Sequence, residues 1–229
     1  MKLGIMQPYF FPYIGYFQLI QAVDQFVIYD DVNYIKQGWI NRNRILLDGH
    51  EHMVTLAVKG ASSFKPINRL EIGDNRNKLL QTISQAYAKA RFFSDAIIVV
   101  EKVLGNPERN LARFAAESIC KVLEYLNIPT PLLVSSMIEK DNELKGADKI
   151  LQLCKILGAT QYINAIGGKS LYEKEIFLKE GILLKFLKTR PFSYPQLGND
   201  YVPWLSIIDV MMFNSPATIH LMLTEYELE

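Results

Sequence analysis

Met6-Gln7-Pro8-Tyr9-Phe10-Phe11-Pro12-Tyr13-Ile14-Gly15-Tyr16-Phe17 joins a short apolar run, Lys2 to Gln7, to an apolar segment of helical spacing, Tyr13 to Val23. Behind it Gln25 to Asp31, with Phe26-Val27-Ile28-Tyr29 at its centre, is a continuous apolar stretch of strand length. Strand, helix and buried strand in that order make one βαβ unit, which predicts an α/β fold. Packing alone does not require such a connection. Two prolines fix φ, an amide stands where the backbone leaves the sheet, and aromatic rings crowd the rest, as in a ligand-binding loop.

Working outward, Arg44 to Leu47 and His52 to Val58 flank Asp48-Gly49, a pair that tolerates positive φ and predicts a two-residue hairpin. Leu79, Leu80, Ile83, Ala86, Tyr87 and Ala90 recur at helical spacing, as do Ile119, Val122, Leu123 and Leu126 within Leu111 to Leu126. Asn127-Ile128-Pro129-Thr130-Pro131 stops that helix, and Leu132 to Ser135 follows as a strand. Alternation then resumes: a helix over Ala147 to Leu157 stopped by Gly158, a strand over Gln161 to Ala165, a helix over Leu171 to Lys179, and a strand over Ile182 to Leu187. A Pro/Gly/aromatic loop, Phe192 to Pro203, precedes a last apolar helix at Leu205 to Phe213. The expected fold is a Rossmann-like, mostly parallel sheet of about five strands with flanking helices. It is expected as one domain over 1–229, with a hairpin excursion at 41–73 and a helical middle segment at 75–128.

Of the 229 residues 49% are hydrophobic, enough for a sizeable core, and the formal net charge of +1 gives no basic footprint for nucleic acid. Cys120 and Cys154 lie on apolar helix faces and read as reduced, buried thiols of a cytoplasmic protein. No secretory leader pattern is present, and no apolar run reaches the ~18 residues that cross a bilayer.

In an open parallel sheet, ligands bind at the carboxyl ends of strands where strand order reverses. That rule selects Gln7, Asp30 and Asp31, Ser135 and Ser136, and Asn164 with Gly167-Gly168. Asp30-Asp31 can hold a metal, sugar hydroxyls or an amine; adjacent strand residues point to opposite faces, so one of them faces the ligand, and a capping role is the alternative. Gly15 at the helix start opens a path to unpaired N–H groups suited to a diphosphate, or serves helix packing. In Gly38-Trp39-Ile40-Asn41-Arg42-Asn43-Arg44, the arginines suit phosphate or carboxylate, and an extended backbone sets Arg42 and Arg44 on one face and Trp39, Asn41 and Asn43 on the other. Ile166-Gly167-Gly168-Lys169-Ser170 fails as a phosphate loop, because the spacing demands glycine at Ile163. His50 and His52 lack a third metal ligand, so no metal site is expected, and the residues name no cofactor.

Tyr13-x-Gly15-Tyr16 resembles the H-x-G-H signature of HIGH-superfamily nucleotidylyltransferases, with both histidines replaced by tyrosine. More closely, Met6 to Phe17, Phe26-Val-Ile-Tyr-Asp-Asp-Val-Asn-Tyr34 and Lys36-Gln-Gly-Trp-Ile-Asn-Arg-Asn-Arg-Ile45 resemble the WbqC-like family of bacterial proteins. Ser135-Ser136, Tyr162 to Gly168, Tyr194-Pro-Gln196 and Leu205 to Asn214 continue the match, with Ser215-Pro216 where the family usually has glycine. The resemblance implies a role in O-antigen or other surface-polysaccharide biosynthesis, with a nucleotide sugar or acyl donor as small-molecule partner. Within it we expect a transferase that acylates the amine of a nucleotide-linked sugar, with nucleotidyl transfer and a non-catalytic binding module as alternatives. Expected catalytic residues are Asp30, Asp31 and Tyr13; expected substrate contacts are Gln7, Pro8, Tyr9, Gly15, Tyr16, Lys36, Trp39, Asn41, Arg42 and Arg44. From further along the chain, Ser135, Ser136, Asn164, Gly167, Tyr194, Trp204 and Asp209 are expected to join them.

Overall fold

The computed structural model describes residues 1–198 and 200–229. The chain opens with β1 (Lys2–Met6), α1 (Ile14–Gln21) and β2 (Gln25–Ile28). Alternate residues of β1 and β2 serve opposite faces: Phe26 and Ile28 join one apolar cluster, Leu3, Ile5 and Val27 the other. Two two-stranded sheets follow, β3 (Arg42–Leu47) with β4 (His50–Thr55) and β5 (Val58–Lys59) with β6 (Glu71–Ile72). The turn between β3 and β4 is Asp48-Gly49, at φ 52° and 78°, the left-handed pair that matches the twist of a hairpin.

The middle segment is three helices, α2 (Arg76–Tyr87), α3 (Phe93–Leu104) and α4 (Leu111–Leu126). Asn110 caps α4 by accepting from Arg113 N at 3.1 Å, and Asn127 ends it at φ 51°. β7 (Leu132–Val134), α5 (Gly146–Ile156), β8 (Gln161–Ala165), α6 (Lys174–Lys179) and β9 (Leu183–Thr189) then alternate. α6 is shorter than the expected helix over Leu171 to Lys179, because Ile166–Leu171 forms a 3₁₀ turn and Tyr172 is extended. The chain closes with α7 (Ile207–Phe213), α8 (Pro216–Met222) and β10 (Tyr226–Leu228). Ser215-Pro216 starts α8: the Ser215 hydroxyl accepts from Thr218 N at 3.2 Å, and proline sits in the first turn where no donor is needed.

The main sheet has six strands in the order β10-β9-β8-β1-β2-β7. All neighbours run parallel except β10, which pairs antiparallel with β9. After β7 the chain crosses to the far side of β1 to lay down β8 and then β9, so strand order reverses between β1 and β8. A crevice must open at the carboxyl ends of those two strands. α1 to α4, α7 and α8 cover one face around Phe17, Phe114 and Met211, while α5 and α6 cover the other around Leu153 and Phe177. No helix among the described residues is long and apolar enough to cross a membrane.

Candidate functional site

The loop after β1 is held from three directions. Ser118 Oγ on α4 accepts from Phe11 N at 3.1 Å, Asn43 Nδ2 on β3 donates to Phe11 O at 2.6 Å, and Ser206 Oγ donates to the same oxygen at 2.7 Å. These bonds keep Phe11 at φ 43°, a left-handed conformation that costs about 1–2 kcal/mol for a residue with a Cβ. Phe10 and Phe11 are fully buried, and the neighbouring Tyr9 and Tyr13 turn toward the crevice.

There they line a cavity of about 480 Å³, completed by Trp39 and Arg44, by Ile166 after β8, by Lys188 and Thr189 at the end of β9, and by Trp204. Both tryptophans of the chain therefore stand at one site. The Arg44 guanidinium lies 5.4 Å from the Trp39 ring centre, donates to Trp204 O at 3.4 Å and pairs with Glu51 at 2.8 Å. Its buried Nε has no acceptor among the described residues. Lys188 pairs with Glu227 at 3.3 Å on the rim. Burial pushes the phenols of Tyr9 and Tyr13 above their ordinary value, so both are proton donors at neutral pH.

Gly15 is set by the Tyr13 ring. A Cβ there would lie 2.4 Å from Tyr13 Cε2 and 2.6 Å from Thr189 Oγ1, so the space above the helix start belongs to those side chains. Tyr16 points into the core, where its hydroxyl donates to Gln7 O at 2.9 Å. Pro8 is buried and lines neither cavity.

A second cavity of about 290 Å³ adjoins the first across Tyr13, Pro191 and Trp204. Beneath its wall residues Tyr194 and Val210 sits Asp209, fully buried. Asp209 accepts from Tyr87 Oη at 2.8 Å, from Tyr194 Oη at 2.7 Å and from Gln196 Nε2 at 2.7 Å. Burial raises its carboxyl above the ordinary range even against those three donors.

The acid pair after β2 occupies the same carboxyl rim on the β7 side and lines neither cavity. Asp30 accepts from Ser136 N at 2.9 Å, Ser136 Oγ at 2.6 Å and Asn68 Nδ2 at 3.1 Å, which ties the ends of β2 and β7 together. Asp31 faces the other way and pairs with Lys140 at 2.9 Å and Lys149 at 3.1 Å, beside the buried Ser135. Burial raises the Asp31 carboxyl, but the two ammonium groups and the Ser135 hydroxyl outweigh it and hold it below its ordinary value.

Asn41 is structural in its contacts, accepting from Tyr34 Oη and donating to Leu56 O, both at 2.7 Å. Arg42 donates to the carbonyls of Gln37 and Gly38, closing a turn in which Gln37 takes φ 62°. That turn breaks the extended backbone expected through 38–44, so Trp39 stacks on Arg42 and Arg44 instead of facing away from them. Lys36 is exposed on the same turn, Gly167 is exposed after β8, and Asn164 bonds back to Ala165 N at 2.8 Å. Lys188, Thr189, Arg190 and Pro191 line the cavities from the end of β9 and the chain just beyond it, a strand end absent from the residues expected at the site. The strand-end rule would have reached them had β9 been extended two residues past Leu187.

No group of three or more His, Cys, Asp or Glu side chains among the described residues is placed to hold a metal ion. Among known proteins, the uncharacterized protein Rv1507c of Mycobacterium tuberculosis is 28% identical to this chain over 223 residues, 94% of each chain. No solved structure matches significantly. The WbqC-like protein family model matches residues 7–221, from the loop after β1 through α8, and the chain belongs to that family.

Proposed function

We propose that the chain is a transferase that binds a nucleotide-linked amino sugar in the 480 Å³ cavity and places an acyl or aminoacyl group on the sugar amine. The observation that carries this reading is the composition of that cavity at the strand-order reversal: aromatic rings of Tyr9, Tyr13, Trp39 and Trp204 beside the cations Arg44 and Lys188. Aromatic faces stack on a base or sugar ring, contributing about 1–3 kcal/mol per stacked base. A guanidinium offers forked donors to a diphosphate, and the unpartnered Arg44 Nε is one such donor. Lys188 is half-exposed in its pairs with Glu227 and Glu229, and Glu51, the partner of the half-buried Arg44, is exposed, so a diphosphate can displace these carboxylates from the rim. The pathway, surface-polysaccharide biosynthesis, rests on family membership.

In the step proposed, the neutral sugar amine attacks the carbonyl carbon of an activated acyl group such as a thioester. The C–N bond forms, the bond to the leaving group breaks with its electron pair, and the surplus proton on nitrogen passes to solvent at the open mouth. Tyr13, a phenol protonated at neutral pH, is the group suited to donate to the carbonyl oxygen as charge develops there. Asp30 and Asp31 act through the architecture of the rim.

Thermal-shift titration with UDP-, GDP- and dTDP-linked amino sugars tests binding, since a ligand of the folded state raises its stability by mass action. Mass spectrometry of mixtures with acyl thioesters then tests for the amide. The proposal predicts a stabilising nucleotide sugar and an amide product. No stabilisation by any of them refutes it, and binding without amide from any donor makes the chain a binding module. Pyrophosphate release from nucleoside triphosphate and sugar phosphate is not expected, because Tyr16, one of the two signature positions, is tied into the core.

A further inference from the structure

The geometry points to a second compartment: we infer that the 290 Å³ cavity takes a small apolar carboxylate beside the nucleotide. This inference rests on the larger cavity being the nucleotide compartment. Three residues, Tyr13, Pro191 and Trp204, line both cavities and form the partition between them.

Trp204 is an unusual wall. It holds φ 60°, a conformation that costs a residue with a Cβ, while leaving 48% of its surface exposed, so burial of its own ring does not account for the strain. Its carbonyl is fixed by Arg44, and Ser206 just beyond donates from its N–H to Arg44 O at 2.8 Å. The ring is thereby set edge-on to Tyr13, with centroids 6.3 Å apart. A strained aromatic held between two adjacent cavities divides them.

The chemistry of the smaller cavity differs from that of the larger. Ile14, Phe192, Leu205 and Val210 give it apolar walls, and the Tyr194 hydroxyl is engaged below by Asp209. Among the described residues Arg190 carries the sole charge in the lining and makes no ion pair, and it is anchored through its backbone N–H to Glu225 O at 2.9 Å. At 290 Å³ the cavity lies at the small end of the ~300–1,000 Å³ range of ligand pockets, too small for a nucleotide sugar and suited to a compact acyl group. An apolar chamber with one cation at its edge selects an apolar body with one anionic end.

The test uses phenylacetate as probe, phenylacetamide as its neutral isostere and UDP as probe of the larger compartment. Calorimetry on the full chain should show phenylacetate binding equally well with and without saturating UDP. Affinity should fall about fivefold or more for phenylacetamide and for Arg190→Gln, the loss of one exposed charge-assisted contact. Methyl resonances of Leu205 and Val210 should shift with phenylacetate and not with UDP. Absence of phenylacetate binding, its displacement by UDP, equal affinity in Arg190→Gln, or shifts confined to other methyls overturns the inference. Phenylacetate binding that depends on Arg190 while UDP fails to bind sustains this compartment and refutes the nucleotide reading of the larger one.

Discussion

Replacing Asp31 by asparagine separates a structural carboxylate from a catalytic one. Asp31 Oδ2 lies 2.9 Å from Lys140 Nζ and 3.1 Å from Lys149 Nζ, and those lysine side chains are only 1% and 6% exposed. Two buried cations thus share one carboxylate. Asparagine keeps the volume, removes the charge and leaves both ammonium groups facing each other without a counter-ion. Removing one partner of a buried pair costs about 3–5 kcal/mol. At about 2–4 °C per kcal/mol for a domain of this size, Tm should fall by about 6–20 °C in scanning calorimetry at pH 7. Lys149→Met leaves Asp31 and Lys140 balanced one to one and should lose less than half as much. Because the native Asp31 carboxyl sits below its ordinary value, its contribution is complete above about pH 4 and is lost as pH falls through the depressed native value. Asp31→Asn should therefore flatten the acid limb of the stability curve. A Tm within about 2 °C of wild type, or an equal loss in Lys149→Met, would refute the reasoning.

Gly15→Ala places a Cβ 2.4 Å from the Tyr13 ring and should cost about 1–3 kcal/mol in urea denaturation, with nucleotide-sugar affinity falling as Tyr13 is displaced; unchanged values count against the role given to Tyr13. Arg44→Gln should weaken nucleoside diphosphate binding about tenfold and reduce its salt dependence, both read by calorimetry at two ionic strengths. Asp30→Ala removes the acceptor of two Ser136 bonds and one Asn68 bond, so stability should drop by about 1–3 kcal/mol with affinity unchanged within about twofold. Wild-type stability with lost binding would move the ligand to the β2–β7 rim.

The parallel sheet was legible because strands buried on both faces read as uninterrupted apolar runs, as at Phe26 to Tyr29. β10 was not, since Tyr226-Glu227-Leu228 carries no such run and exists through its pairing with β9. α8 was hidden behind Ser215-Pro216, which reads as a turn until its capping bond is seen. At the site, the strand-end rule picks out Gln7, Asp30, Asp31, Ser135, Ser136, Asn164 and Gly167-Gly168, none of which lines either cavity, whereas Tyr9 and Tyr13 of the aromatic loop line the larger one. Which rim side chains face a cavity depends on partners distant in sequence. Asn68 reaches Asp30 across 38 positions and Lys149 reaches Asp31 across 118, and no local pattern announces either contact. Arg42 and Arg44 share parity, yet the turn at Gln37 sets Arg42 to closing its own loop while Arg44 joins the cavity.

The central claim is that ligand binds where strand order reverses between β1 and β8. Because Trp39 and Trp204 are the chain's two tryptophans and both line that cavity, intrinsic fluorescence reads the site directly. Titration with the nucleotide sugar that gives the largest thermal shift should change the emission saturably, with the dissociation constant found by calorimetry, and Trp39→Phe and Trp204→Phe should each remove part of the signal. Calorimetric binding with no change in tryptophan emission would contradict the account.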